Sequence, residues 1–323
     1  MNTQRFMPIA GLLLTAVFFS GCSKDETVAP ALKADNSVAV TTQAAAVSMN
    51  SWMTSLPDNS SIASLSIPGT HDSGARVEPV SGTAKCQDLT IAAQLEAGVR
   101  FLDIRCRHIG NAFAIHHGSI YQNMNFNDVL LACTSFLTSH PGETIVMSVK
   151  EEYDATDNTR TFEQTFDTYV QQYSSFWHTG ATIPTLGQVR GKIVLLRRFG
   201  ATSTPKGIDA TAWGDNTVFT INNSNANLKI QDQYVVPDNN AKWNNINTLF
   251  TEASTQSNNV LYINFTSGYK SLIFSIPSIT TVSGNINPRL NTYFTSNTHG
   301  RFGIIPMDFV NADRASLIAK TNF

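Results

Sequence analysis

Two histidines stand in short polar motifs, each directly after an apolar run. His71 lies in SIPGTHDSG (66–74) beside Asp72, and His117 ends the run FAIHH (113–117). Imidazole titrates close to neutral pH, so one histidine can accept a proton while another donates one. The pair therefore predicts a general base and a general acid. The alternative is a structural histidine–aspartate turn that only caps neighbouring backbone.

An arginine lies between the two histidines in the chain. Arg105 ends FLDIR (101–105), and its planar, permanently charged guanidinium suits an anion that offers two oxygens, most naturally a phosphate. A base, an acid and a phosphate-binding arginine together indicate cleavage of a phosphodiester. The residues alone do not identify the ester.

The elements that must position these groups alternate along the chain. Predicted strands lie at 65–67, 100–105, 112–116, 144–150, 192–198, 260–265 and 302–308, and predicted helices lie near 89–98, 127–139, 161–173 and 244–254. Such alternation predicts a parallel sheet with covered faces. A domain of roughly 275 residues suits an α/β barrel.

Polar residues recur at the ends of the predicted strands. They are His71, Asp72, Asp103, Arg105, His116, His117, Lys150, Arg198 and Asp308. A barrel of parallel strands assembles its active site at the carboxyl ends of those strands. We therefore expect these side chains to converge on one site.

Seven motifs resemble bacterial phosphatidylinositol-specific phospholipase C, in the same order and at similar spacing. They are SIPGTHDSG, GVRFLDIRCR, FAIHHGSIY, ETIVMSVKEEY, GKIVLLRRF, IQDQY and YINFTSG. The resemblance extends from about residue 52 to residue 308. It implies a single irregular (β/α)8-type, TIM-like barrel and metal-independent cleavage of phosphatidylinositol, or of glycosylated phosphatidylinositol anchors, to diacylglycerol and inositol 1,2-cyclic phosphate.

The resemblance also implies a role for each matching residue in the reaction. His71 would take the proton from the inositol 2-hydroxyl, with Asp308 orienting its ring. His117 would protonate the departing diacylglycerol oxygen, assisted by Asp72. Arg105 would bind the phosphate. Asp103 would position Arg105 or contact an inositol hydroxyl. The inositol ring would be bound by Lys150, Arg198, Asp232 and Tyr234.

Two other functions stay open at this stage. A metal-dependent glycerophosphodiester hydrolase would need clustered carboxylates for a divalent cation, and the motifs lack them. A non-catalytic inositol-lipid or glycan binding module would require the loss of a histidine or of the arginine. We expect no cofactor or metal, because no spacing of cysteines and histidines is typical of a zinc site. The net charge of −2 argues against a nucleic-acid binder, which would show a basic face.

The first residues predict export. Residues 1–21 have the pattern of a lipoprotein signal peptide, Cys22 would carry lipid, residues 22–48 form a tether, and residues 49–323 form the catalytic domain. The protein would then be an exported lipoprotein of the bacterial cell envelope, at the outer membrane, or a secreted protein. It would act as a monomer on a membrane surface.

The sequence also allows predictions about three cysteines and one apolar segment. Cys86, Cys106 and Cys133 could supply one disulfide in an exported protein, although the pair cannot be chosen. The helical pattern around Cys133 indicates a core position. The segment SGYKSLIFSIPSI contains the apolar residues Leu272–Ile276. We expect them to form a partly exposed loop that inserts into a membrane interface.

Overall fold

The computed structural model describes residues 47–323. The predicted signal peptide, the lipidation site Cys22 and all but the last two residues of the predicted tether lie outside the described residues. Within residues 47–323, no helix is both long and apolar enough to cross a membrane.

Fourteen strands build the sheets. They are β1 Ser66–Thr70, β2 Phe101–Ile109, β3 Ala112–His117, β4 Ile120–Asn125, β5 Ile145–Glu151, β6 Trp177–His178, β7 Ile193–Arg197, β8 Ile208–Asp209, β9 Val218–Asn222, β10 Asn227–Gln231, β11 Val260–Asn264, β12 Lys270–Ser271, β13 Pro277–Ser278 and β14 Gly303–Met307.

Seven α-helices and four short 3₁₀ segments connect the strands. The helices are α1 Ile91–Glu96, α2 Phe126–Ser139, α3 Phe162–Gln172, α4 Leu186–Val189, α5 Asn239–Thr255, α6 Ile279–Ser296 and α7 Ala312–Lys320. The 3₁₀ segments are Met49–Ser55, Ile62–Ser64, Ser174–Phe176 and Ile273–Ser275.

A curled, mainly parallel sheet forms the barrel. Its strands follow the order β7-β5-β2-β1-β14-β11-β10, all parallel, and β9 pairs antiparallel with β10 at one edge. The short strands β6 and β8 both pair with β7 at the other edge. In the described part of the chain no ladder joins β8 to β9. Instead, Asn223 Nδ2 donates to the carbonyl of Asp209 at 3.2 Å. The barrel is therefore irregular, as the sequence predicts.

Alternation along the strands decides which side chains enter the barrel. On β2, Phe101 packs in the inner core, whereas Leu102 and Ile104 pack between sheet and helices. Side chains two residues apart share one face of a strand, so Asp103 and Arg105 share the inner face with Phe101. The register then places Ser148 and Lys150 of β5 beside them. The inner face is apolar toward the amino ends of the strands and polar toward their carboxyl ends.

Most predicted elements are present, and the differences are specific. All seven predicted strands and all four predicted helices occur within a few residues of their expected bounds. The sequence does not predict β10, because NLKIQ alternates polar and apolar residues too briefly to stand out. It also does not predict α4, α6 and α7 or the strands β4, β6, β8, β9, β12 and β13. The prediction that His116 and His117 end a barrel strand is wrong. Strand β3 pairs antiparallel with the end of β2 in a hairpin, and does not join the parallel strands of the barrel.

Candidate active site

His71 and Asp308 follow two neighbouring parallel strands. Strand β1 pairs with β14 in a register that matches Thr70 with Met307, so the next residue of each strand also meets its neighbour. The Nδ1 atom of His71 lies 2.8 Å from Oδ1 of Asp308. The predicted pair of base and orienting carboxylate is therefore assembled by strand register alone.

The other ring nitrogen of His71 contacts the arginine. Its Nε2 atom lies 2.8 Å from Nη2 of Arg105. A guanidinium can only donate, so Nε2 accepts and the ring proton sits on Nδ1, from which it is donated to Asp308. Burial opposes protonation of the ring, but the carboxylate of Asp308 outweighs burial and raises the pKa of His71. In this arrangement the basic lone pair of Nε2 is unprotonated and accepts from Arg105.

Asp103 holds the guanidinium of Arg105 in place. Both Nε and Nη2 of Arg105 lie 3.2 Å from Oδ2 of Asp103. The other carboxylate oxygen accepts from Ser148 Oγ at 3.3 Å and from Arg198 Nη1 at 3.4 Å. Burial alone would raise the pKa of Asp103, but Arg105 and Arg198 hold it well below its usual value. Since its oxygens are occupied by protein donors, Asp103 positions two arginines.

Asp72 and His117 are close but not hydrogen-bonded. Their Oδ2 and Nδ1 atoms are 4.0 Å apart, and Nδ1 of His117 instead lies 2.6 Å from the carbonyl oxygen of Ala84. The expected carboxylate partner of His117 is thus replaced by a backbone carbonyl in this structure. Asp72 has a φ of 37°, in the left-handed region that is strained for most residues and concentrates at functional sites.

The remaining predicted residues line one cavity with the two histidines. This cavity has a volume of about 640 Å³ and lies at the carboxyl ends of the barrel strands. Its wall includes Lys150, Arg198, Asp232 and Tyr234. The structure therefore brings the predicted site residues together, except that His116 does not line the cavity and its Nδ1 instead lies 3.3 Å from the carbonyl of Gly118.

Two further residues, Trp213 and Asp215, support this polar wall, and the sequence analysis assigned neither of them. Trp213 stacks beneath Arg198, with 3.7 Å from the guanidinium carbon to the ring centroid, and its Nε1 donates to Asp232 at 2.9 Å. The hydroxyl of Tyr234 donates to Asp215 at 2.6 Å. Trp213 and Asp215 lie outside any predicted strand, which explains why no pattern marked them.

Glu152 links the acid and the phosphate-binding sides of the site. It pairs with Lys150 at 2.9 Å, lies 3.9 Å from Arg105, and accepts from the backbone N–H of Gly118 at 3.0 Å. Burial would raise its pKa, but Arg105 and Lys150 lower the pKa of Glu152 to about 2. Glu152 is thus an ion-pair partner of Lys150 rather than a free glutamate at the strand end.

The cysteines form no disulfide within residues 47–323. Cys86, Cys106 and Cys133 are all free and fully buried. The core position predicted for Cys133 is confirmed. The suggested disulfide is therefore not formed in this structure: Cys86 packs with Ala75 and Ile279, and the other two thiols lie in the larger core.

An apolar loop stands at the mouth of the cavity. We call residues Leu272–Ile276 the rim loop. Phe274 is 92% exposed and Ile273 is 79% exposed, whereas Ser271, Ser275 and Pro277 line the cavity. The predicted exposure of this loop is confirmed.

A barrel that holds a histidine–carboxylate pair, an arginine and a second histidine at its strand ends defines an acid–base enzyme. The family model described as phosphatidylinositol-specific phospholipase C, X domain, matches residues 67–199. That span includes His71, Arg105 and His117. The chain belongs to the bacterial phosphatidylinositol-specific phospholipase C family, as the motifs predict.

Individual relatives agree over most of the chain. A 1-phosphatidylinositol phosphodiesterase of Staphylococcus aureus (strain Newman) is 36% identical over 278 residues, which cover 81% of this chain and 88% of that protein. One of Listeria monocytogenes is 32% identical over 287 residues, covering 85% and 86%. A solved structure of the Staphylococcus aureus phospholipase C (F249X mutant) superposes with a TM-score of 0.78 at 34% identity, covering 85% of this chain and 98% of that one.

Proposed function

We propose that this enzyme cleaves phosphatidylinositol by attack of the inositol 2-hydroxyl on the adjacent phosphorus. The products are diacylglycerol and inositol 1,2-cyclic phosphate. The observation that carries the proposal is a single cavity in which a base, an acid and a phosphate-binding arginine lie beside a polar wall suited to ring hydroxyls. The relatives named 1-phosphatidylinositol phosphodiesterase support the same substrate.

The first half of the reaction belongs to His71. Its Nε2 takes the proton of the 2-hydroxyl as the new oxygen–phosphorus bond forms, and Asp308 stabilises the resulting imidazolium through Nδ1. Because nucleophile and phosphate are parts of one molecule, the attack gains a large effective concentration. Arg105 occupies Nε2 in the free enzyme, so a bound phosphate must draw the guanidinium away before the base can act.

The second half belongs to His117. As the phosphorus–oxygen bond to diacylglycerol breaks, the ring of His117 gives its proton to the departing oxygen. The carbonyl of Ala84 fixes the ring through Nδ1, which leaves the opposite nitrogen to face the leaving group. Asp72 contributes its negative charge, 4.0 Å from the His117 ring and 3.8 Å from Nε of Arg105.

Charge on the transferring phosphoryl group is balanced by arginine in this proposal. Arg105 presents two donors to non-bridging oxygens, where negative charge grows in the transition state. Lys150, Arg198 and Asp232 supply donors and acceptors for the ring hydroxyls, and Tyr234 lies against the ring face. The Trp213 ring stacks against the guanidinium of Arg198 and limits its freedom.

The rim loop would hold the enzyme at the lipid surface. Burying a large apolar side chain contributes about 1.5–3 kcal/mol, and Phe274 and Ile273 are almost fully available for it. The loop stands beside the cavity mouth, so insertion would bring the headgroup of an embedded lipid to the active site.

The direct test is an assay of the purified protein with defined lipids. Vesicles of phosphatidylinositol should release diacylglycerol and cyclic inositol phosphate, whereas phosphatidylcholine vesicles should release no headgroup. A glycosylated phosphatidylinositol anchor, tested in parallel, decides whether a substituted inositol ring is also accepted. Release of non-cyclic inositol phosphate as the first product would contradict attack by the 2-hydroxyl.

Export, lipidation at Cys22 and a monomeric state stay predictions from the sequence. If Cys22 carries lipid, Cys22→Ala should move the protein from the membrane fraction to the soluble fraction without changing activity on dispersed substrate. Unchanged membrane association would assign anchoring to the domain surface, above all to the rim loop.

A further inference from the structure

The thiol of Cys86 lies between the base and acid halves of the active site. One ligand atom from each of Asp72, Cys86 and His117 lies within 4.8 Å of the other two. The same thiol belongs to a second set of this kind with His71 and Asp308. Cys86 is fully buried, and its Sγ contacts the carbonyl of Ala84 at 3.7 Å and the carboxylate of Asp308. None of the catalytic steps described above uses it.

Asp72 gives an independent sign that a cation belongs at this place. Its side chain is fully buried, and neither carboxylate oxygen has a hydrogen-bond partner within the described residues. The nearest positive groups, Arg105 and His117, are 3.8 and 4.0 Å away. Leaving a buried carboxylate without donors is costly, so its acceptor capacity is available to a ligand.

We propose that Asp72, Cys86 and His117 form a binding site for a thiophilic divalent cation of the zinc class, and that occupation of this site inhibits the enzyme. Sulfur, nitrogen and oxygen are the ligand atoms that zinc prefers. On binding, the thiol of Cys86 releases its proton to solvent. The thiolate and the carboxylate then supply two negative charges against the two positive charges of the ion, and the imidazole binds in its neutral form.

Binding needs the three side chains to move together and Nδ1 of His117 to give up its contact with the carbonyl of Ala84. Zinc bond lengths of about 2.0–2.3 Å place tetrahedral ligand atoms roughly 3.5 Å apart. The three side chains therefore have to close from a spread of at most 4.8 Å. The fourth position of the ion would face the cavity, where water or a phosphate oxygen can bind.

The ligand set and the nearby Arg105 disfavour calcium and magnesium. Calcium takes six to eight oxygen ligands and magnesium needs a nearly octahedral shell, whereas this cluster offers one carboxylate. Arg105, 3.8 Å from Asp72, repels every cation, and only an ion that gains a thiolate bond offsets this repulsion. Zinc or cadmium should therefore bind, and calcium and magnesium should not compete with them.

Inhibition is expected because the ion would bind His117, the proposed general acid. A metal bound to a ring nitrogen of His117 keeps the imidazole neutral, so the ring can no longer act as an imidazolium acid toward the leaving group. The ion also places charge beside the phosphate-binding arginine. The inhibitory effect rests on the proposed function, but the binding does not. The two are therefore measured separately.

Cobalt(II) is the probe for binding, because a bound thiolate gives cobalt a charge-transfer absorption that oxygen and nitrogen ligands do not. The full chain should show this band at one equivalent, zinc should abolish it, and excess calcium should not. Cys86→Ala and Cys86→Ser should both lose the band. Cys133→Ala, which removes an equally buried thiol with no charged neighbour, should keep it. Absence of the band in the unaltered chain, or its persistence in both Cys86 variants, would overturn the site.

Zinc titration of phosphatidylinositol cleavage is the probe for inhibition. Without metal, both Cys86 variants should retain activity, which also shows that they fold. The zinc concentration for half-maximal inhibition should rise at least tenfold in both, and should not change in Cys133→Ala. Equal zinc sensitivity in all forms would overturn the inhibitory role. Failure of every form to cleave the lipid without metal would count against the proposed function and leave the cobalt result standing.

Discussion

The imidazole of His71 is held between Asp308 and Arg105, with 2.8 Å from Nδ1 to the carboxylate and 2.8 Å from Nε2 to the guanidinium. The base and the phosphate-binding group are thus in direct contact before substrate arrives. Because Nε2 accepts from Arg105, the free enzyme keeps that nitrogen unprotonated and ready to act. Binding of an anionic phosphate competes for the same guanidinium and so exposes the base.

Arg105 should determine how the enzyme depends on metal. Arg105→Lys should lose most activity, because a point charge cannot reproduce a two-pronged contact with phosphate. We expect full activity of the unaltered enzyme in excess chelator and no stimulation by calcium. Arg105→Asp should lose nearly all activity and recover part of it only when calcium is added. Loss of activity in chelator, restored by calcium, would contradict the role given to Arg105.

Asp308 should act through His71 rather than on substrate. Asp308→Asn keeps the shape of the side chain but removes the charge that stabilises the imidazolium, so kcat should fall by about 10²–10⁴-fold with little change in KM. In the double variant with His71→Ala, the second substitution should add almost nothing. Additive losses in kcat would mean that Asp308 has a separate role, and the pairing with His71 would then be structural.

The rim loop should matter only at a membrane. Phe274→Ser and Ile273→Ser should each weaken binding to phosphatidylinositol vesicles by about tenfold or more, from the apolar transfer free energy of these side chains. Activity on a monomeric, water-soluble substrate should not change. Leu131→Ser, which removes an apolar side chain that is 60% exposed on helix α2, is the matched control and should bind vesicles normally. Equal loss in the control would exclude a specific docking role.

A buried lysine behind the polar wall should make stability depend on pH. Burial lowers the pKa of Lys242 to about 7, although Asp232 and Asp308 oppose this shift. In the unfolded chain the amine titrates near 10.4. Between these values the unfolded state binds the extra proton, so the free energy of unfolding should rise with pH by up to about 1.4 kcal/mol per unit.

Comparison with Lys242→Met isolates the contribution of Lys242 to the slope of the unfolding free energy against pH. Urea unfolding between pH 7.5 and 9.5 should show the rise in the unaltered chain and a shallower slope in the variant, whatever the variant's own stability at pH 7.5. Below pH 7 both states hold the proton, and the two slopes should become equal. Identical slopes above pH 7.5 would show that Lys242 titrates normally.

Much of this site could be predicted because strand register does the positioning. His71, Arg105, Lys150 and Asp308 follow or end strands with strong apolar patterns, and neighbouring parallel strands bring their ends together. The contacts of His117 could not be predicted. Its hairpin strand runs antiparallel, and its partner is the backbone of Ala84, which carries no side-chain signal.

Residues supplied by irregular segments were also beyond sequence reasoning. Trp213 and Asp215 lie between short strands, and Cys86 reaches the site through a loop whose path is fixed by backbone bonds to Ala75 and Phe309. Chain spacing says nothing about such contacts, because they arise from tertiary packing rather than from a periodic element. The cluster of Asp72, Cys86 and His117 is visible only in three dimensions.

The assignment of base and acid is tested most directly by changing the leaving group. The measurement is kcat/KM of His71→Ala and His117→Ala with phosphatidylinositol and with an inositol phosphodiester that carries a highly acidic leaving group. An acidic leaving group departs without a proton, so it should restore His117→Ala by several orders of magnitude relative to the lipid and leave His71→Ala nearly inactive. Equal restoration of both variants, or restoration of His71→Ala alone, would contradict the account.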